Sequence, residues 1–271
     1  MLETIGYDPE RVGWAAPGDA RPGRVARVDR GIALVLSEDG LLRASVGSHL
    51  INAMANDPTA GPCPGDFVLI RDWPDDRVTL EKVLPRRTAI VLAPSGERCA
   101  GKALCANVDF AAVVVSSHPR PTVSTIEPML GVARESGGHP LVVLTKSDTV
   151  TDAHLIAQEV GLVAGVGVIC TSTRTSAGLP RLLELIGGSQ TIALLGPSGQ
   201  GRSSLINSLA GASVLTTRVP TGSTTRVSTG STTRVARREL VLLAGGGAAI
   251  DVPEPRTASW STARRGMICD G

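Results

Sequence analysis

The chain has 271 residues, 42% of them hydrophobic and 19% charged, with a net charge of +2, the balance of a soluble globular protein with no global electrostatic pull towards nucleic acid. Aromatic residues make up only 2%, so the core must be built from Val, Leu, Ile and Ala, and ring stacking is excluded as a major binding device. No apolar run approaches the roughly 20 residues of a membrane span, and Met1 to Glu10 carries acids without the apolar stretch of a signal peptide; the expected protein is cytoplasmic, off the membrane and monomeric.

From about residue 21 to 85 the pattern is one of short strands: Arg24 to Val28, Ile32 to Leu36, Leu41 to Val46, Asp66 to Ile70 and Val78 to Val83. Turn residues separate them, at Asp29 to Gly31, Glu38 to Gly40, Pro62 to Gly65 and Pro74 to Asp76. Five short strands with little room for helix between them predict a small barrel such as an OB-fold, with a generic small β-domain as the alternative. The expected boundary places this barrel in residues 1–88 and a second domain in 89–271.

After Arg87 apolar runs alternate with helical stretches. Strands are predicted at Ala111 to Val115, Leu141 to Leu144, Val166 to Cys170, Ile192 to Leu195, Val241 to Leu243 and Ala248 to Ile250. Helices are predicted at Thr125 to Ser136, Asp152 to Gly161, Leu179 to Ile186 and Ser203 to Leu209. That alternation means a mostly parallel sheet covered on both faces. A polar repeat, Thr216 to Val235, carries Thr-Thr-Arg-Val three times and has no period that buries a face, so it reads as a mobile loop. The five cysteines, Cys63, Cys99, Cys105, Cys170 and Cys269, form no C-x-x-C pair and have no His at ligand spacing; they read as reduced thiols rather than a zinc site.

The strongest chemical signal is the segment Gly196, Pro197, Ser198, Gly199, Gln200, Gly201, Arg202, Ser203 and Ser204, between a strand and a helix. A phosphate-binding loop needs that context: glycines let successive N–H groups turn inward, and the helix N-terminus adds positive charge. Ser203 stands where a hydroxyl would hold Mg²⁺. The motif's lysine is replaced by Arg202, a bulkier planar cation, and a ligand-free glycine turn is the alternative reading.

Thr145, Lys146, Ser147 and Asp148 follow the strand Leu141 to Leu144. An Asn-Lys-x-Asp turn at a strand end reads guanine, the Asp accepting from the two ring-edge N–H groups that adenine lacks; here Thr145 stands for the Asn. Alone the tetrapeptide is equally a solvated turn. The next strand ends in Thr171, Ser172, Thr173 and Arg174, similar to the Ser-Ala-Lys loop that supports the base. Asp251, after Ala248 to Ile250, is the candidate for holding Mg²⁺ through water or, alternatively, a turn-capping acid. Glu254 replaces the glycine of Asp-x-x-Gly.

The base-reading motif precedes the phosphate loop, and Asp251 comes last. This permuted order, behind a β-barrel, resembles the RsgA family of ribosome-small-subunit-dependent GTPases. The likeness extends through Gly23 to Gly31, Val83 to Thr88, Ala106 to Asp109, Gly199 to Leu209, Arg238 to Leu240 and Gly245 to Asp251. It implies an OB-fold followed by a circularly permuted P-loop GTPase domain, GTP or GDP and Mg²⁺ as ligands, and the small ribosomal subunit and its rRNA as partners in late subunit maturation.

The resemblance also implies features this sequence departs from. The family's His-Thr-Thr-Thr stretch before Arg-Glu-Leu is not matched, and Thr232 or Thr233 could supply the switch threonine only by a shift of register. The family's C-terminal zinc domain, with its ligands, is not found before the sequence ends at Gly271. Together with Arg202 and Glu254, these departures predict impaired hydrolysis.

Competing readings are a non-hydrolysing nucleotide- or rRNA-binding factor, an ATP-using P-loop enzyme, against which Lys146 and Asp148 argue, and a purely structural protein. RNA contact is expected from Arg21, Arg24, Arg27, Arg30, Arg86, Arg87, Arg226, Arg234, Arg237 and Arg238, through phosphates and hence salt-sensitive.

Overall fold

The computed structural model describes residue 6 and residues 20–92, 101–212 and 238–253. The expectations for the repeat, Thr232, Thr233, Glu254, Cys99, Cys269, Arg226, Arg234 and Arg237 lie outside the described residues.

The first five strands, β1 (Ala20–Asp29), β2 (Ile32–Ser37), β3 (Gly40–Val46), β4 (Phe67–Asp72) and β5 (Val78–Val83), close a barrel in the order β1-β2-β3-β5-β4. Alternation along the strands turns Val25, Ala33, Val35, Val68, Ile70 and Leu80 into the barrel, where they are fully buried. A helix the sequence reading missed, α1 (Ser48–Asn56), joins β3 to β4. It buries only Leu50 and leaves Ile51 and Met54 exposed, so its apolar stripe is too thin to register as a helical period.

A short antiparallel hairpin follows, β6 (Ala89–Leu92) and β7 (Lys102–Ala106). The second layer is a six-stranded sheet in the order β10-β9-β8-β11-β13-β12, made of β8 (Phe110–Ser116), β9 (His139–Thr145), β10 (Gly167–Cys170), β11 (Thr191–Gly196), β12 (Glu239–Leu242) and β13 (Ala248–Pro253). All its pairings are parallel except β12 with β13, so the sheet is mostly parallel, as expected, with one antiparallel edge strand. The central strands are split by period two. Val113, Val115, Val142, Leu144 and Leu195 meet α2 (Val123–Glu135) and α3 (Ala153–Ala164), while Ala112, Val114, Val143, Ile192 and Leu194 meet α4 (Leu179–Ile186) and α5 (Arg202–Ala210). Burying each such Val, Leu or Ile contributes roughly 1.5–3 kcal/mol, which makes this continuous apolar slab the main source of stability.

The barrel and the sheet layer share an interior. Ala26 and Leu36, on the barrel's outer side, belong to the same core as Ile90, Leu104 and Val113. This contact corrects two of the arginines assigned to RNA. Arg24 is 1% exposed. It donates from Nε to Gly65 O at 3.2 Å and from Nη2 to Asn107 O at 3.0 Å, with its guanidinium over the Phe67 ring; burial pulls its pKa down to about 10. Arg86 grips the fully buried Asp66 in a bidentate pair, Nε to Oδ1 and Nη2 to Oδ2 at 2.7 Å each, and donates to Thr59 O and Gly61 O. The Cys63 N–H completes the Asp66 shell at 2.8 Å. Both arginines fix the junction rather than face a partner. Arg21 is paired with Asp39 and Asp72, Arg27 with Glu239 and Arg87 with Asp109. Arg30 is exposed at the β1–β2 turn.

Candidate functional site

The predicted segments meet at the C-terminal ends of β8, β9, β10 and β11, the edge at which open parallel sheets bind ligands. Gly196 closes β11 where a Cβ would lie 2.5 Å from Val114 O, so only glycine lets the loop leave the strand against β8. Gly201, with φ of 91°, turns the chain into α5 as its N-cap. No side chain caps that end, and the Leu205 N–H, at 2.9 Å from Gly201 O, makes the helix's first backbone bond. The N–H groups of Arg202, Ser203 and Ser204 precede it and are available to an anion.

Three hydrogen bonds tie this loop to the neighbouring strand ends. The Ser116 N–H donates to Gln200 Oε1 at 2.6 Å, the Thr145 hydroxyl to Gln200 O at 2.6 Å, and Lys146 Nζ to Gly199 O at 3.0 Å. The sequence reading assigned Thr145 and Lys146 to the base alone; here both also hold the phosphate loop. The Thr145 link was detectable as a hydroxyl at the place of an expected amide, whereas the Gln200 side-chain link had no sequence signal.

Lys146 adopts φ of 54° and starts a 3-10 turn over Ser147–Thr149. The turn is fixed by Ser147 N–H to Thr171 O at 3.1 Å and Thr149 N–H to Lys146 O at 2.9 Å. This presents Asp148, whose Oδ1 accepts from the Ser172 hydroxyl at 2.5 Å and whose Oδ2 accepts from Arg174 Nε at 2.7 Å. The Ser172 bond, with help from Arg174, holds the Asp148 carboxyl below the usual carboxylate range against the opposing effect of burial. Ser172 is buried and Thr173 exposed, so only the former braces the acid. Arg174, mostly exposed, is a partner the sequence reading named within its loop without giving it a role.

On the other side of the phosphate loop, Asp251 lies within β13, which runs on to Pro253, rather than after the strand as expected from the sequence. It pairs in register with Leu194 of β11. Arg202 Nε is 2.9 Å from Asp251 Oδ1, and Ser203 donates to Asp251 Oδ2 at 3.4 Å. The Arg202 and Asp251 side chains are 9% and 11% exposed. Yet Arg202 Nε, Arg202 Nη1 and Asp251 Oδ1 are buried without a hydrogen bond, so the ion pair is close but poorly aligned. Burial raises the Asp251 carboxyl above the usual range, opposed by Arg202 and Ser203. Among the described residues, no group of three or more His, Cys, Asp or Glu could hold a metal ion.

Comparison with known proteins bears on the fold and the family. Two solved structures share the fold: YjeQ from Thermotoga maritima, with a TM-score of 0.61 at 22% identity over 86% of this chain and 74% of that one, and YloQ, described as a circularly permuted GTPase, with a TM-score of 0.56 at 20% identity over 89% and 74%. Among curated proteins, the small ribosomal subunit biogenesis GTPase RsgA of Streptomyces coelicolor is 37% identical over 273 residues, 98% of this chain and 72% of its own length. That of Streptomyces avermitilis is 36% identical over 98% and 71%. The RsgA GTPase family profile matches residues 83–259. The chain therefore belongs to the RsgA GTPase family.

Proposed function

We propose that this chain binds guanine nucleotide at the Gly196–Ser204 loop and the Thr145–Asp148 turn and acts in maturation of the small ribosomal subunit, as its relatives' names describe for them. The observation that carries the reading is the direct stitching of the two segments, through Thr145 to Gln200 O and Lys146 to Gly199 O. A phosphate cradle and a base-reading acid are thereby held on one sheet edge at fixed separation. Phosphates would take the free N–H groups at the start of α5. Guanine would present its two N–H groups to Asp148, displacing the exposed Arg174 while Ser172 stays. Ser147 and Thr173, next to Asp148 and Ser172 in sequence, are proposed to flank the base. The domain boundary proposed is 88/89, with the barrel and its exposed Arg30 facing rRNA in a cytoplasmic monomer.

The family implies GTP with Mg²⁺. Ser203 and Asp251 are residue types that hold this ion, directly and through water. As they stand they do not fit it: the cation beside Asp251 is Arg202, 2.9 Å from its carboxylate, and Ser203 is turned onto the same acid. Because Arg202 is paired with the acid that would otherwise help to hold Mg²⁺, hydrolysis is proposed to be weak, which favours the second reading of a nucleotide-binding assembly factor that turns over little.

The test is competition against fluorescent GDP on purified protein, followed by phosphate release with and without small subunits. GTP but not ATP should compete, and release should be slow in both settings. Competition by ATP equal to that by GTP would sink the guanine assignment to Asp148. Rapid subunit-stimulated release would overturn the weak-hydrolysis reading while leaving the binding site intact.

A further inference from the structure

Arg202 occupies an unusual position. It is the first residue of α5, directly after the glycine that turns the phosphate loop into the helix. Its side chain is more than nine-tenths buried, and its Nε and Nη1 make no well-aligned hydrogen bond, although Nε lies 2.9 Å from Asp251 Oδ1. A buried guanidinium normally satisfies its donors, as Arg86 does at the barrel junction. Two donors without an aligned acceptor at the start of a helix leave a place for better-placed acceptor oxygens. Across from them, Asp251 Oδ1 is likewise buried without an aligned hydrogen bond, and Oδ2 takes the Ser203 hydroxyl.

Mg²⁺ demands near-octahedral oxygen ligands at close range and keeps several of its waters. A serine hydroxyl and a water-linking carboxylate can supply part of that shell only if both are free of a competing cation. Here the guanidinium stands within ion-pair distance of the carboxylate, and a divalent ion brought to the same acid would meet a like charge in a poorly solvated place. An arginine at this place, unlike a buried lysine, offers no relief by deprotonation. Its planar fork can instead take phosphate oxygens in pairs, a geometry that lysine's point charge lacks.

We infer that this chain binds its guanine nucleotide independently of Mg²⁺, the Arg202 guanidinium neutralising the phosphates in place of the metal. The inference rests on the nucleotide-binding reading given above. On binding, the phosphate oxygens supply acceptors to Nε and Nη1, and Asp251 remains as the counter-charge that orients the fork. No bond is made or broken.

The experiment is a titration of the full chain with fluorescent GDP, once in excess Mg²⁺ and once in EDTA, with folding checked by circular dichroism. The dissociation constants in the two conditions should agree within about twofold, a difference well under the 1.4 kcal/mol of a tenfold change. The Arg202→Lys variant should bind at least about tenfold tighter in Mg²⁺ than in EDTA, because a compact ammonium vacates the space beside Asp251. Arg202→Ala should lose affinity in both conditions. Native protein that binds about tenfold or more tighter with Mg²⁺ overturns the inference and leaves the nucleotide site standing. Folded protein that binds in neither condition overturns the site itself, and the inference with it. The native ratio decides the matter even if the lysine variant does not fold.

Discussion

Two buried arginine–aspartate pairs set the barrel junction apart from the phosphate loop. At the junction, Arg86 and Asp66 make two parallel hydrogen bonds of 2.7 Å, and the remaining groups of both residues are used on Thr59 O, Gly61 O and the Cys63 N–H. At the loop, Arg202 and Asp251 approach to 2.9 Å yet leave Nε, Nη1 and Oδ1 without a hydrogen bond. The chemical types are the same and the burial is comparable. What differs is completeness. A network with every polar atom satisfied rigidifies a fold, whereas a half-satisfied one costs stability and is kept where a ligand completes it. On the reading proposed above, the contrast separates a structural arginine from a nucleotide-binding one.

Breaking the complete pair should have the largest effect. Arg86→Ala strands an Asp66 carboxylate that is 0% exposed, and removing one partner of such a pair costs about 3–5 kcal/mol. Thermal melting should show this as a loss on the order of 10 °C. Replacing both residues, Arg86→Met with Asp66→Leu, should recover part of the loss, since no buried charge is then left alone. A single variant that melts with the native protein would show that the pair is not structural.

The incomplete pair should cost less, and its cost should depend on pH. In Arg202→Ala the Asp251 carboxyl loses the charge that opposes its burial, so its folded pKa, already raised, rises further above the unfolded value. A raised folded pKa contributes stability that is fully present below the unfolded pKa and is lost as pH rises through the folded one. The variant should therefore approach native stability in the acid range and fall behind it towards neutral pH. Urea midpoints measured across that range check the sign. A deficit that grows as pH falls would mean that Arg202 does not oppose the burial of the Asp251 charge.

How far these contrasts were legible in the sequence follows from what each pattern reports. The continuous apolar run Ala111 to Val115 announced a covered sheet, and the short runs set off by turn residues announced the barrel, because both patterns are written locally. The glycine loop and the Thr145 to Asp148 turn were legible as motifs, since backbone geometry and charge type are written locally. The roles of Arg24 and Arg86 were not. Alternation puts Arg24 on the outer side of the barrel, which in isolation is solvent; here that side is covered by the chain around Asn107, some eighty residues further on. Nothing local distinguishes an arginine on a wet face from one on a face that a second layer will cover. The helix Ser48–Asn56 escaped for a related reason, since one buried leucine makes no stripe. The pairing of Arg202 with Asp251 joins the phosphate loop to a strand 49 positions later in sequence, a distance that only the parallel register of β11 on β13 bridges.

The smallest expected effect sharpens the comparison at the loop's other edge. Thr145 is 3% exposed, and its hydroxyl lies 2.6 Å from Gln200 O and 3.3 Å from Val115 O. It has one proton to give, so the shorter contact takes it, and the hydroxyl's attachment of base-reading turn to phosphate loop is one neutral hydrogen bond. Thr145→Val keeps the shape and removes that bond, a change worth about 0.5–1.5 kcal/mol. The loop retains Lys146 on Gly199 O and Ser116 on Gln200 Oε1, and the freed Gln200 carbonyl lies in a partly exposed segment where water can reach it. Global stability should therefore shift little. Affinity for fluorescent GDP should weaken by roughly two- to tenfold, because the cradle is less pre-organised against the base site. An unchanged affinity alongside a lower melting temperature would place Thr145 with Arg86 as a structural residue and leave Lys146 to couple the two halves of the site.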